Sequence, residues 1–275
     1  MNQPRSILAV VQARLSSTRL PGKVLRPVEG RPLIGTMLER LNQSKRLTGI
    51  LVATSHHPSD DPLADYLNAV GIKVFRGDLN NVFDRFHQIS LTIQPDLMVR
   101  MTADCPLIDP GLLDFCIDRH LDLQPEITAT NNETGFPRGV DVEVFSPCLL
   151  DKLSTLNLTP DELEHVTLAA YTRWRDFYIR IINPEPRYLN RSHFRLCVDQ
   201  PEDFELVARI IQYFHPRLDF TLDELYHIME ANPSWFDLNR DVPSLINPVF
   251  DRIAAEHGEA LYHSAPVQVK ANNPS

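Results

Sequence analysis

The chain has 275 residues, with 27 Lys and Arg against 36 Asp and Glu, a formal net charge of -9. An apolar share of 43% and a charged share of 23% suit a globular protein with a sizeable core. The acidic balance argues against a nucleic acid or an anionic membrane as the main partner.

Short apolar runs alternate with helical patterns through the first half. Ser6–Val11, Gly49–Ala53, Lys73–Arg76 and Leu97–Met101 read as strands. Pro32–Asn42, Pro62–Val70 and Val82–Leu91 read as helices between them. In the second helix Asp60–Asp61 offers a cap, Pro62 suits the first turn, and Leu63, Leu67 and Val70 share a face. This βαβα rhythm predicts an α/β fold, a mostly parallel sheet with helices on both faces, whose ligands collect at the carboxyl ends of the strands.

The second half reads differently. Ile127–Asn131 and Val140–Phe145 are strand patterns around a turn-rich stretch, Asn132–Gly139. A helix is expected at about Pro160–Trp174, and strands at Phe177–Ile182 and Arg195–Val198. A further helix carries Phe204, Val207, Ala208 and Ile211 at i, i+3, i+4 and i+7, with Pro201 in its first turn. Leu222–Glu230 and Pro248–Glu256 are the last helical candidates, and the final KANNPS reads as disordered. Cys105, Cys116, Cys148 and Cys197 are scattered without metal-ligand spacing, as expected of reduced, mostly buried thiols in a cytoplasmic protein. Gln12 and Arg14 interrupt the N-terminal apolar run too early for a signal peptide or a membrane span.

Two segments concentrate chemistry. Ala13–Arg26 follows the first strand and carries Arg14, Arg19, Lys23 and Arg26 with no acidic residue. A basic loop with hydroxyls and a glycine at a strand end suits a polyanion such as a nucleoside triphosphate; an ordinary solvated basic loop is the alternative. No GxxxxGK[ST] and no GxGxxG occurs, so phosphate would be held by cationic side chains and the loop's own N–H groups. Asp104, in RMTADCPLID (Arg100–Asp109), follows an apolar strand where Cys105–Pro106 stop it. A carboxylate there suits Mg²⁺, a hard cation, with Asp199 at another strand end as its companion. Asp109, before Pro110, reads as a helix cap.

Here the sequence resembles a known family. QARLSSTRLPGK (Gln12–Lys23) is similar to the signature of the cytidylyltransferases that activate acidic sugars, the synthases of CMP-Kdo and CMP-sialic acid. FRGDLNNVFDRF (Phe75–Phe86), RMTADCPLID, FPRGVDVEVF (Phe136–Phe145), EHVT (Glu164–Thr167) and LCVDQPEDFELV (Leu196–Val207) resemble the SpsF-type branch, named for spore-coat polysaccharide biosynthesis. The blocks occur in the expected order over about 200 residues.

The resemblance implies a nucleotide-diphospho-sugar transferase-like, Rossmann-like domain over residues 1–220, with a small C-terminal helical appendage over 221–275. It implies CTP as nucleotide, Mg²⁺ as cofactor, a sugar-type acceptor and release of pyrophosphate. Arg14, Arg19 and Lys23 would grip the triphosphate. Asp104 and Asp199 would hold the metal, so that Arg14, Lys23, Asp104 and Asp199 carry catalysis. Gln12, Thr54, Ser55 and Arg85 would shape the nucleotide pocket, and Arg138, Asp141 and His165 would lie on the acceptor side. Residues 136–190 would form an acceptor and dimerisation insertion. Three alternatives stay open. Enzymes acting on sugar 1-phosphates with other nucleotides usually show GxGTR, where this chain has Leu15, Ser16 and Ser17 before Thr18–Arg19. A glycosyltransferase would want a DxD pair, and Asp141-Val142-Glu143 is an imperfect one. A nucleotide-binding scaffold without catalysis is the third.

Overall fold

A computed structural model describes residues 5–130, 135–185, 194–242 and 260–262. At its centre is β1 (Ile7–Gln12), buried on both sides because its apolar run does not alternate with polar residues. Ile7, Ala9 and Val11 face one hydrophobic cluster, and Leu8 and Val10 face the other. Chain order continues with the short hairpin β2 (Pro27–Val28) and β3 (Arg31–Pro32), α1 (Leu33–Leu41), β4 (Gly49–Ser55), α2 (Asp61–Ala69), β5 (Lys73–Gly77), α3 (Val82–Ile93), β6 (Leu97–Thr102) and α4 (Pro110–Leu123). After them come β7 (Ile127–Thr130), β8 (Glu143–Phe145), α5 (Pro147–Ser154), α6 (Pro160–Glu164), α7 (Leu168–Thr172), β9 (Ile179–Pro184), α8 (Pro201–Phe214), α9 (Leu222–Ala231) and β10 (Ala260–Tyr262).

The eight-stranded sheet has the order β10-β9-β7-β8-β6-β1-β4-β5. Only β8 runs antiparallel, between β6 and β7. Residues of α1, α2, α4, α8 and α9 fill one face, and those of α3, α5, α6 and α7 fill the other. The expected α/β fold with helices on both faces is therefore the observed one. Because β4 and β6 flank β1, the winding reverses beside it and opens a crevice at the carboxyl ends of β1 and β6.

Caps fix the helices that frame this crevice. Asn81 accepts from Asp84 N at 2.9 Å to start α3, and Asp109 accepts from Leu112 N at 2.8 Å to start α4. Arg40, 1% exposed, donates to the carbonyls of Ile108, Leu218 and Phe220 at 2.8, 2.7 and 3.0 Å. It ties α1 to the loop after β6 and to the segment leading into α9, whose Leu222, Leu225, Tyr226 and Met229 join the same core as β1.

Several expectations are corrected. The helix at Pro160–Trp174 is broken into α6 and α7 at His165–Thr167, where Val166 takes φ 27°. The Thr167 hydroxyl bonds Glu143 of β8 at 2.9 Å, so tertiary bonding overrides helix continuity there. Arg195–Val198 is not a strand; it makes one bridge, Arg195 to Arg138. The β8 strand is shorter than Val140–Phe145: Val140 and Val142 bond the Thr130 hydroxyl at the end of β7, a side chain standing in for the regular ladder. Val70 is 51% exposed and off the buried face of α2. Asp60 gives α2 no side-chain cap; its carboxylate turns inward. On α8 the buried stripe is Leu206, Val207, Ile210, Ile211 and Phe214, with Phe204 and Ala208 at its margin. Cys105, Cys116 and Cys197 are buried free thiols, and Cys148 is exposed. The helix at Pro248–Glu256 and the KANNPS tail lie outside the described residues. No described helix is long and apolar enough to cross a membrane.

Candidate active site

The basic loop leaves β1 under tight backbone control. Ala13 N bonds Ala53 O at 3.1 Å, and Leu15 N bonds the Asp60 carboxylate at 2.7 Å. Leu20 and Val24 anchor the far limb in the core. Gly22, at φ 69°, turns the chain so that its N–H reaches Leu15 O at 3.0 Å, a left-handed position that favours glycine. Lys23 then opens a single 3-10 turn and points into the crevice with 10% of its side chain exposed.

Two acidic loops meet it there. Asp104 follows β6, and Asp199 precedes α8. Val198 N bonds Asp104 O at 2.7 Å and draws the two loops together. A third loop is laced in by Arg138 N to Phe194 O at 3.1 Å and Leu196 N to Arg138 O at 2.7 Å. Gly139, at φ 101°, makes that lacing possible: an added Cβ would lie 2.4 Å from Cys197 N.

Lys23 Nζ stands 3.1 Å from Asp104 Oδ2 and 2.8 Å from Asp199 Oδ1. Arg19 adds a second cation to Asp199 Oδ1 at 2.9 Å. Burial opposes the charge on Lys23, but Asp104 and Asp199 outweigh it and raise its pKa above the ordinary value. Burial likewise pushes Asp199 up, and Lys23, Arg19 and Arg195 overcome it, holding the carboxyl below the usual range. Burial, with Asp104 and Asp141 adding to it, lifts the Cys105 thiol well above its ordinary pKa, so it stays neutral.

The donor set fits a divalent cation of the magnesium type. Two carboxylates from different loops converge on one point, now shared by a Lys nitrogen, and 29% of the Asp104 side chain is open. Among the described residues no group of three or more His, Cys, Asp or Glu could hold a metal alone. Phosphate and water oxygens would have to complete the shell, as Mg²⁺ prefers.

Other expected residues are placed around this centre. Arg14 pairs with Glu164 of α6 at 2.7 Å, both partly exposed, which closes one side of the crevice. Gln12 ends β1; its Oε1 accepts from Arg100 Nε at 3.0 Å, and its amide nitrogen has no protein acceptor among the described residues. Asp141 accepts from Gly139 N at 3.0 Å and from Cys105 Sγ at 3.5 Å, close to Asp104. Burial raises its pKa against the pull of Arg138 and Gly139 N. His165 is exposed at the end of α6, next to Glu164.

Thr54, Ser55 and Arg85 do not line the crevice. Ser55 and Thr54 are fully buried; the Ser55 hydroxyl donates to Asp60, and the Thr54 hydroxyl has no partner among the described residues. Arg85, 2% exposed, holds Ala53 O at 3.2 Å and Leu79 O at 3.1 Å. All three are buried at the carboxyl end of β4.

Sequence reasoning passed over a second polar group. Arg100 of β6 also donates to Glu143 at 2.6 Å, and Glu143 accepts from Thr167 and from the Tyr171 hydroxyl at 2.6 Å. A charged residue inside the apolar run LMVRM was the available signal, since a buried cation requires a partner.

Residues 8–228 match the family model for cytidylyltransferases. The chain belongs to the cytidylyltransferase family. It is 34% identical to the spore coat polysaccharide biosynthesis protein SpsF of Bacillus subtilis (strain 168) over 232 residues, covering 82% of this chain and 95% of that one. A cytidylyltransferase from Leptospira borgpetersenii has a similar structure, with a TM-score of 0.80 and 32% identity, covering 88% of this chain and all of that one. The 3-deoxy-manno-octulosonate cytidylyltransferase of Geobacter sulfurreducens is 30% identical over 114 residues, 41% of this chain and 44% of its own. Within the family this member is of the SpsF type, and it is a nucleotidyltransferase. The basic loop and both carboxylates lie inside the matched residues.

Proposed function

We propose that this cytidylyltransferase moves CMP from CTP to an oxygen of a sugar-type acceptor, with Mg²⁺ and with release of pyrophosphate, in surface-polysaccharide or glycan synthesis. The observation that carries this reading is the convergence of Lys23, Arg19, Asp104 and Asp199 at the carboxyl ends of β1 and β6.

Arg14, Arg19 and Lys23 bind the triphosphate, exchanging some of their carboxylate contacts for phosphate oxygens. Lys23 is preset for this: its loop is pinned by backbone bonds, so little freedom is lost when CTP binds. Asp104 and Asp199 hold the metal, which when bound neutralises phosphate charge and orients the α-phosphate. The acceptor oxygen forms a bond to the α-phosphorus as the bond to the β-phosphate oxygen breaks, and pyrophosphate leaves with that electron pair. Gln12 offers its amide nitrogen to the bound substrates. Arg138, Asp141 and His165 face the acceptor, for which an acidic sugar is the expected class. Residues 136–190 form the acceptor and dimerisation insertion of the catalytic domain 1–220, and 221–275 its extension. Four free cysteines agree with the reducing cytoplasm.

Pyrophosphate release with CTP, UTP, dTTP, GTP and ATP, each with and without Mg²⁺ and a panel of acidic sugars, tests the reading. Release that needs CTP, a divalent cation and an acceptor is the expected result. Equal release with UTP or dTTP on sugar 1-phosphates would overturn the CTP assignment. The thermal midpoint gives a parallel readout, because a ligand at about 100 times its Kd adds about 2.7 kcal/mol of apparent stability.

A further inference from the structure

The Asp199 carboxylate is held from two sides. Its Oδ1 faces the crevice and takes Lys23 and Arg19, while its Oδ2 takes the Arg195 guanidinium at 2.7 Å from behind. Arg195 is 5% exposed, and its Nε donates to Asp203 Oδ1 at 2.9 Å. Asp203, fully buried in the first turn of α8, accepts the backbone N–H groups of Asp199 and Gln200 at 2.9 Å each. One more group completes this relay. Asn239, 4% exposed, donates through Nδ2 to Asp203 Oδ1 and to the carbonyl of Arg195, both at 2.8 Å.

Asn239 comes from the segment after α9, outside residues 8–228 that match the family model. That segment is seated by Phe236, which packs edge-on against Phe194 at 4.6 Å between ring centres, directly before Arg195. One side chain of the extension thus grips both the main chain and the ionic partner of the residue that orients Asp199. In a buried site, losing this donor leaves a carboxylate oxygen and a carbonyl short of hydrogen bonds. Arg195 would then shift toward Asp203 and turn Asp199. Groups behind a metal-holding carboxylate of this kind typically change metal affinity by about 10–100-fold when removed.

We infer that Asn239 is a positioning residue: by holding the Arg195–Asp203 pair it fixes the direction in which Asp199 presents Oδ1 to the crevice, making the segment beyond α9 part of the catalytic apparatus. The inference rests on the reading of Asp199 as a metal-holding carboxylate.

The test compares Asn239→Ala, Asn239→Asp and Asp199→Asn with the unaltered full chain. Binding of Mn²⁺ to the enzyme–CTP complex without acceptor, followed by water-proton relaxation, reads the metal site without turnover. Asn239→Ala should weaken Mn²⁺ binding about tenfold, lower kcat by a similar factor, and leave the KM for CTP within about twofold. Asn239→Asp keeps the shape, loses the donor and sets a second carboxylate beside Asp203, so its effect should be larger; it also serves if the alanine variant does not fold. Variants that lose thermal stability while keeping Mn²⁺ affinity and kcat would overturn the inference and leave Asn239 a structural prop. If Asp199→Asn abolishes both readouts while both Asn239 variants retain them, only the relay fails. If Asp199→Asn itself retains both, the metal role of Asp199 fails and the relay with it.

Discussion

Two cations bound to carboxylates belong to neighbouring strands, Lys23 in the loop after β1 and Arg100 within β6, and they do opposite work. Lys23 holds Asp104 and Asp199 and shares Asp199 with Arg19, and on the proposed reading those contacts exchange for phosphate oxygens. Arg100 holds an acid that is itself filled. Its forked guanidinium holds Gln12 and Glu143, and Glu143 is further engaged by Thr167 and Tyr171. Similar ion pairs therefore serve exchange in one place and rigidity in the other. The difference is plainest between Asp104, which takes one cation and keeps 29% of its side chain open, and Glu143, which takes three donor groups and is 12% exposed.

The comparison breaks most visibly at Asp104. Asp104→Asn should reduce kcat by roughly 100- to 10,000-fold, about 3–5 kcal/mol of barrier, while the thermal midpoint moves by no more than a few degrees. Turnover near that of the unaltered enzyme would remove Asp104 from the mechanism. Glu143→Gln should do the reverse. The amide has one acceptor oxygen where the carboxylate had two, and its NH₂ meets donors from Arg100, Thr167 and Tyr171. A loss of about 3 kcal/mol follows, a fall in Tm of roughly 6–12 °C, visible by calorimetry. An unchanged Tm would mean that the closed group contributes no rigidity.

Two smaller effects sharpen the contrast. On the closed side, Glu162 of α6 is bonded by Arg173, which holds its carboxyl at about 2 against an ordinary 4.5. Its contribution is complete above about pH 4.5 and is lost as the pH falls toward about 2. Glu162→Gln should therefore cost of order 1 kcal/mol near neutral pH and nothing at pH 2, measured by urea unfolding at both. On the proposed reading, Glu164 would compete with the triphosphate for Arg14 across a partly exposed pair. Glu164→Gln should lower the KM for CTP by about two- to threefold, with Tm within about 1 °C, since exposed pairs add little stability. A raised KM would show that Glu164 orients Arg14 instead of occupying it.

The first half of the fold was legible because its signals are local. β1, β4, β5 and β6 are apolar runs, and Asp109 caps its helix as its place before Pro110 suggests. The basic loop was legible as a reversal of charge, and its proper partners, Asp104 and Asp199, as acids at expected strand ends. The second half was less so. Nothing near Val166 announces that the helix breaks there, because the cause is Glu143, two elements away. Thr54, Ser55 and Arg85 read as pocket residues in sequence, yet burial turns them into supports.

By itself the sequence determined the parallel α/β core, the local reversal of charge in the loop after β1 and the family. These follow from apolar periodicity, local charge and residue order, which need no knowledge of distant neighbours. Only the tertiary structure decided which cation meets which acid, that Glu143 is filled by three donor groups while Asp104 stays part-open, and that Asn239 reaches back to the support of Asp199. Those outcomes include contacts 36 and 176 residues apart along the chain. Buried polar groups must find partners wherever the fold places them, and a linear pattern carries no record of that geometry.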